Sequence, residues 1–186
     1  MASSSERRLS PADTRRLALT AGAACSAIAF AVITAGSLAE AAARWLCGLV
    51  AWTLVEYALH RLLFHLPADH PLDAVGARMH RAHHDEPAPP IVKPPAATLG
   101  ALFAGLALSA VMLGPARVAA LWAGVFTGYL VYEIAHLAAH VLDEAQHPWP
   151  AQRARHLLHH RSPGTCFGIT SPLWDAVFGT LSEGRR

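Results

Sequence analysis

The chain has 186 residues, enough for one domain, of which 53% are apolar and 15% charged, with a mean hydropathy of +0.30. A soluble domain usually carries about 25% charged residues, so part of this chain's surface is expected to face lipid rather than water. The net charge of +2 is too small to point to nucleic acid, and the three cysteines, Cys25, Cys47 and Cys166, form no Cys-x-x-Cys pair and no disulfide framework.

Residues 1–16 read as a flexible cytoplasmic tail and 17–186 as a single membrane-embedded domain. Arg7, Arg8, Arg15 and Arg16 precede an apolar run that is too long for a cleaved signal core. Ser10-Pro11-Ala12-Asp13 carries a helix-start signature: a capping hydroxyl, proline in the first turn and an acid three residues on. The first apolar run spans roughly Leu17 to Ala39, close to the ~20 residues that cross a bilayer. A second runs from Ala41 to Glu56 and is expected to continue as a helix out of the membrane. The third covers about Ala96–Leu113 and the fourth about Ala116–Tyr132, with a tight turn at Gly114-Pro115. Pro87, Pro89, Pro90, Pro94 and Pro95 cannot continue a helix and read as a stiff extended linker.

The fold expected is therefore all-α: four transmembrane helices in two hairpins, with every polar segment on one side as a helical cap. Arginines gather in those polar segments, which places that side in the cytoplasm.

Ten of the twelve histidines fall into four clusters. These are His60 and His65; His80, His83 and His84; His136 and His140; and His156, His159 and His160. His70 and His147 stand apart. Positions i, i+3 and i+4 share one helix face, so each triplet projects together. On a regular helix His60 and His65 diverge by about 140°, so they serve different metals or His65 lies where the helix ends before Pro67. Adding 76 to positions 60, 80, 83 and 84 gives 136, 156, 159 and 160, all histidines. This reads either as a parallel internal repeat or as two halves converging on one centre.

Ten imidazolium ions in one place would repel, whereas neutral imidazoles bound to metal would not. Ten nitrogens suit two ions at about five each, with a position open on each. Imidazole serves iron, copper, nickel and zinc alike, so the ligands do not select the metal. Glu133 stands three residues before His136, but a carboxylate-rich ferritin-like site needs that motif twice. Glu133, with Glu56, Asp85 and Asp143, reads as orienting a histidine through its second nitrogen or as an ordinary charge. No catalytic side chain is expected beyond the metal centre.

The order of boxes, H-x4-H, H-x2-H-H, H-x3-H, H-x2-H-H, resembles the fatty acid hydroxylase superfamily, which also holds sterol desaturases. The flanking runs Trp52–His65 and Phe167–Thr180 are similar to its fatty acid 2-hydroxylase branch. The resemblance implies two iron ions held by the ten clustered histidines, molecular oxygen as co-substrate, and hydroxylation of a lipid acyl C–H bond. Zinc in a purified relative would be a substitute for iron. It also implies a separate electron donor, cytochrome b5-like or ferredoxin-like, since the chain has no room for a fused one. The chain departs from the family between Asp85 and Pro95, where bulky apolar residues are missing, and at Ala139, where a larger residue is usual. The same centre serves lipid desaturases and sterol- or carotenoid-modifying oxygenases. A metal transporter or sensor fits less well, because transporter sites sit near the bilayer midplane and these histidines lie beyond the apolar runs. Trp149, Trp174 and Phe178 read as interface anchors or as core.

Overall fold

A capping box opens the first helix. In the computed structural model, which describes residues 9–70, 75–87 and 95–182, the Ser10 hydroxyl accepts from the Asp13 N–H and the Asp13 carboxylate accepts from Ser10 N–H. α1 follows over Pro11–Thr34, taking in residues 11–16 that the sequence reading assigns to the tail. A short turn leads to α2, Leu38–Leu59. Its continuation, His60–Phe64, changes from α- to π-helical winding. α3 spans Val75–Asp85, α4 Pro95–Leu113 and α5 Pro115–Val141. α6 spans Pro150–Arg161, and a single turn, α7, covers Leu173–Val177. The described residues are helical and irregular, without strands. The proline-rich stretch expected as a linker lies largely outside them.

Among the described residues, three helical stretches are long and apolar enough to cross a membrane: Pro11–Thr34, Leu38–Phe64 and Pro115–Val141. The stretch Thr98–Leu113 is apolar but shorter. Many of their large apolar side chains face outward, among them Ile33 at 81% exposure and Val111 at 83%, which suits a lipid environment and not water.

α5 is the central element, packed against α2, α1 and α4. Its crossing with α2 is a backbone-to-backbone approach. A Cβ on Gly48 would run into the Leu121 carbonyl, and one on Gly124 into the Trp45 carbonyl. Only glycine fits at either position, as at close helix contacts in membranes generally. The contact is reciprocal under the 76-residue offset, which relates Gly48 to Gly124 and Trp45 to Leu121. Reciprocity of this kind is the mark of a two-fold relation, here between the halves of one chain. Below the crossing, Trp52 packs edge-on to Tyr129 and Tyr132 at ring separations of 5.2 and 6.0 Å.

α1 is tied to α5 by charge. Arg16 Nε lies 3.0 Å from Glu133 Oε2, with both side chains buried, and Tyr129 donates its hydroxyl hydrogen to Glu133 Oε1 at 3.0 Å. Breaking such a pair from one side strands the other charge in a low-dielectric interior, at a cost of about 3–5 kcal/mol.

Candidate metal centre

The π-helical turn decides where His65 points. A winding that bonds i to i+5 stacks residue 65 beneath residue 60, so both imidazoles reach the same place. Of the two readings of their spacing, separate metals is corrected by this turn, whereas a helix end before Pro67 is what the structure has, with His65 as the residue that caps it. It also accounts for the one break in the 76-residue offset. The first half carries one more residue in its box than the second, and the π turn absorbs it.

The ten histidines form two groups of five. His60, His65, His80, His84 and His159 make the first, and His83, His136, His140, His156 and His160 the second. Within each group, one ring nitrogen per residue lies within 4.8 Å of all the others. In the first group four Nε2 atoms close a ring: His65 to His80 at 3.1 Å, His80 to His84 at 3.0 Å, His84 to His159 at 3.1 Å and His159 to His65 at 3.1 Å. His60 Nε2 stands 3.0 Å from His80 Nε2. Taken as a square, an edge of 3.1 Å divided by √2 puts the centre about 2.2 Å from each nitrogen. A zinc–imidazole bond is about 2.0–2.1 Å. The second group is of the same kind, with His140 Nε2 2.7 Å and His160 Nε2 3.1 Å from His156 Nε2, and His136 Nε2 3.2 Å from His83 Nε2. The groups adjoin where His84 and His160 stack at a ring separation of 4.4 Å.

Neighbouring histidines in one box part company. His80 and His84, on one helix face, serve the first group, while His83 crosses to the second. His156 and His160 serve the second and His159 crosses to the first. Each half thus lends its middle histidine to the other half's group, as a two-fold relation requires.

The donor chemistry fits metal ions. His60 Nδ1 lies 2.6 Å from the Phe167 carbonyl oxygen and His159 Nδ1 2.7 Å from that of Thr165. A carbonyl only accepts, so each Nδ1 carries its hydrogen and each Nε2 presents a lone pair. Burial pushes His65 and His159 down to about 4 and, with its imidazole neighbours, His160 to about 3. His156 is held well below its ordinary value, chiefly by burial. Burial also lowers His84, with Asp85 opposing. These rings are neutral at pH 7, and neutral lone pairs facing one another at 3 Å call for a cation between them.

The loop that supplies the carbonyls is itself clamped. Glu56 accepts from Ile169 N–H and Thr170 N–H, both at 2.7 Å, and from the Thr170 hydroxyl at 2.8 Å. Asp175, fully buried, accepts from Phe167 N–H and Gly168 N–H, both at 2.8 Å. Of the four carboxylates singled out in the sequence, Glu56 therefore reaches the histidines through a loop, and Glu133 meets Arg16 and Tyr129. Asp85 and Asp143 are exposed. Residues 165–170 and Asp175 escape a reading of side chains, because main-chain carbonyls leave no mark in a sequence. His70 and His147 fall outside both groups, and His147 Nδ1 accepts from Trp149 N–H at 3.0 Å. Trp174 donates to the Thr53 hydroxyl at 2.9 Å, Phe178 stacks on Tyr57, and Trp149 is 45% exposed.

Between α2, α4 and α5 lies a small chamber of about 60 Å³, lined by Trp52, Glu56, Phe64, Tyr129, Tyr132 and Glu133 among others; Phe64 adjoins His80 of the first group and Tyr132 adjoins His136 of the second.

Membrane-length helices carrying ten converged histidines define the histidine-box class of membrane proteins. The fatty acid hydroxylase family model matches residues 45–180, and the chain belongs to that family. It is 36% identical over 138 residues to a dihydroceramide fatty acyl 2-hydroxylase of Arabidopsis thaliana, covering 72% of this chain and 58% of the relative. It is 34% identical over 146 residues to the fatty acid 2-hydroxylase of Rattus norvegicus, covering 72% and 38%. The chain thus spans less than two thirds of these relatives. Among solved structures, that of full-length scs7p, in which only the hydroxylase domain is visible, superposes with a TM-score of 0.73 at 28% identity, covering 92% of this chain and 65% of that one.

Proposed function

We propose that the chain hydroxylates a C–H bond of a lipid acyl chain with molecular oxygen, probing of fatty acid 2-hydroxylation being the first test. The observation that carries this reading is the pair of five-nitrogen groups at the polar ends of apolar helices, in a chain of the fatty acid hydroxylase family. His60, His65, His80, His84 and His159 would hold one iron, and His83, His136, His140, His156 and His160 the other. Reductive activation of oxygen is the chemistry such a pair supplies when bound. Zinc has no redox chemistry and would be a substitute. Hydroxylation consumes two electrons and two protons and releases water, so a separate donor of the cytochrome b5 or ferredoxin type is part of the reading.

The protein's share is to keep the imidazoles neutral, aligned and dry. The Phe167 and Thr165 carbonyls fix the hydrogen on Nδ1 of His60 and His159, and Glu56 and Asp175 hold those carbonyls in place. In this reading a lipid approaches sideways from the membrane between α2, α4 and α5, where the small chamber lies. In this reading residues 17–186 form one membrane-embedded unit. All four apolar helices span the bilayer as two hairpins, and the cap of α3 and α6 lies on the cytoplasmic side.

The test is expression in a host lacking 2-hydroxy lipids, followed by mass spectrometry of its acyl chains. A new 2-hydroxyacyl species is expected. A new double bond without a hydroxyl product would instead make the chain a desaturase.

A further inference from the structure

The two metal groups are alike in their donors but differ in what stands behind them. In the first group, the peptide joining Phe167 to Gly168 has both of its polar atoms in use. Its carbonyl oxygen accepts from His60 Nδ1 at 2.6 Å, and its N–H donates to Asp175 Oδ2 at 2.8 Å. One planar, conjugated unit therefore links a carboxylate to a histidine that presents Nε2 to the group. The peptide joining Thr165 to Cys166 is used in the same sense. Its carbonyl accepts from His159 Nδ1 at 2.7 Å, and its N–H donates to the Thr180 carbonyl at 2.9 Å. The N–H of Leu181, in the peptide that carries that carbonyl, donates in turn to the main-chain carbonyl of Asp175 at 3.1 Å. Both paths end on Asp175.

The backbone is bent to make this possible. Cys166, which stands between the two carbonyls that face the histidines, has φ 56° and is the one non-glycine among the described residues in the left-handed region. A conformation of that kind persists where its surroundings over-determine it, and such places cluster at functional sites.

Asp175 brings a charge. It is fully buried, and its carboxylate accepts from Phe167 N–H, from Gly168 N–H and from the Thr180 hydroxyl at 2.7 Å. Accepting at both oxygens is how an ionised carboxylate bonds. Among the described residues no arginine or lysine forms an ion pair with it. Buried charges are matched by an opposite charge or by a metal, and a cation in the first group lies at the far end of both hydrogen-bonded paths.

The second group is built otherwise: His156 Nδ1 and His160 Nδ1 are buried without a hydrogen-bond partner. A histidine whose Nδ1 hydrogen goes to an electron-rich acceptor is the more basic ligand at Nε2, and hydrogen bonds in series polarise one another. We infer that Asp175 is a positioning residue for the first metal group alone. Its charge acts on His60 through the Phe167–Gly168 peptide, and the two ions of the pair are held unequally, the first more tightly. The inference rests on the reading that both groups hold metal.

The test is titration with cobalt(II) of the full chain in detergent, after stripping with a chelator, followed by the visible absorption of the bound ion. Two backgrounds separate the groups: His83→Ala keeps all five nitrogens of the first, and His159→Ala all five of the second. In the His83→Ala background, Asp175→Asn should weaken cobalt binding about tenfold and move its absorption maximum, as removal of an outer partner of a ligating histidine does. In the His159→Ala background the same substitution should change neither. Thr180→Val separates charge from structure, because it removes one bond to Asp175 and leaves the carboxylate and its Gly168 bond in place. It should lower the thermal midpoint without moving the cobalt spectrum or affinity of the first group. Unaltered affinity in Asp175→Asn, an equal loss in both backgrounds, or the same loss in Thr180→Val overturns the proposal. If Asp175→Asn fails to fold, the backgrounds are compared directly: cobalt should bind about tenfold more tightly in His83→Ala than in His159→Ala, and equal affinities overturn it. A wild-type chain that takes up no cobalt overturns the metal reading itself, and the proposal with it.

Discussion

His159 and His83 are the residues on which the two metal groups depend most distinctively, because each leaves its own box to complete the other half's group. Removing His159 leaves His60, His65, His80 and His84 without their fifth nitrogen and leaves the second group whole. In His159→Ala, after dialysis against a chelator, metal content should fall from about two ions per chain to about one, and His83→Ala should do the same at the other group. The double variant should retain almost none. His70→Ala and His147→Ala should keep both ions, with His147→Ala losing about 1 kcal/mol of stability through its bond to Trp149 N–H. Two ions retained in His159→Ala would contradict the grouping. All ten members of the groups are legible as clustered histidines, eight of them at helical spacing and His60 and His65 one residue off it. Their division between groups is not, since it depends on how α3 and α6 face each other across the molecule. The clamp was also out of reach. Glu56 is visible as an acid in an apolar helix, but its partners, Ile169 and Thr170, lie more than a hundred residues away in sequence.

At the level of helices, the sequence marked the apolar runs well and their polar ends less well. The fourth run, read to about Tyr132, continues as α5 to Val141 and carries His136 and His140 on the same rigid rod. Apolar composition ends at the membrane surface, but the hydrogen-bonded helix does not. The Gly48–Gly124 crossing was equally hidden, because a glycine in an apolar run gives no sign of what it touches. Substituting alanine at either position forces α2 and α5 apart against backbone atoms, not yielding side chains. Gly48→Ala and Gly124→Ala should each destabilise the protein by about 1–3 kcal/mol, measured as a fall in thermal midpoint. Wild-type stability in both would mean that the helices do not approach so closely. Arg16→Ala should be costlier, about 3–5 kcal/mol, because it leaves Glu133 charged and buried. Removing Glu133 as well should recover part of that loss.

At the scale of the whole molecule, the offset of 76 residues appears twice in independent places: at the glycine crossing inside the helix bundle and at the exchanged histidines in the cap. The two halves are therefore joined at both ends, by packing at one and by shared ligands at the other. Neither half holds a complete group by itself, so loss of an ion from either group would loosen contacts in both halves. A ligand bound only by the folded state stabilises it by about 2.7 kcal/mol at a hundred times its dissociation constant, and with an ion in each group, as proposed, two such terms would act on one cooperative unit. Chelation should therefore lower the thermal midpoint of the whole chain in a single transition, followed by tryptophan fluorescence in detergent, with His159→Ala falling between the loaded and stripped proteins. If the stripped protein melted in two separate steps, the halves would be independent and the exchange of histidines would not bind them together. An unshifted midpoint would mean that the ten histidines hold no ion on which the fold depends.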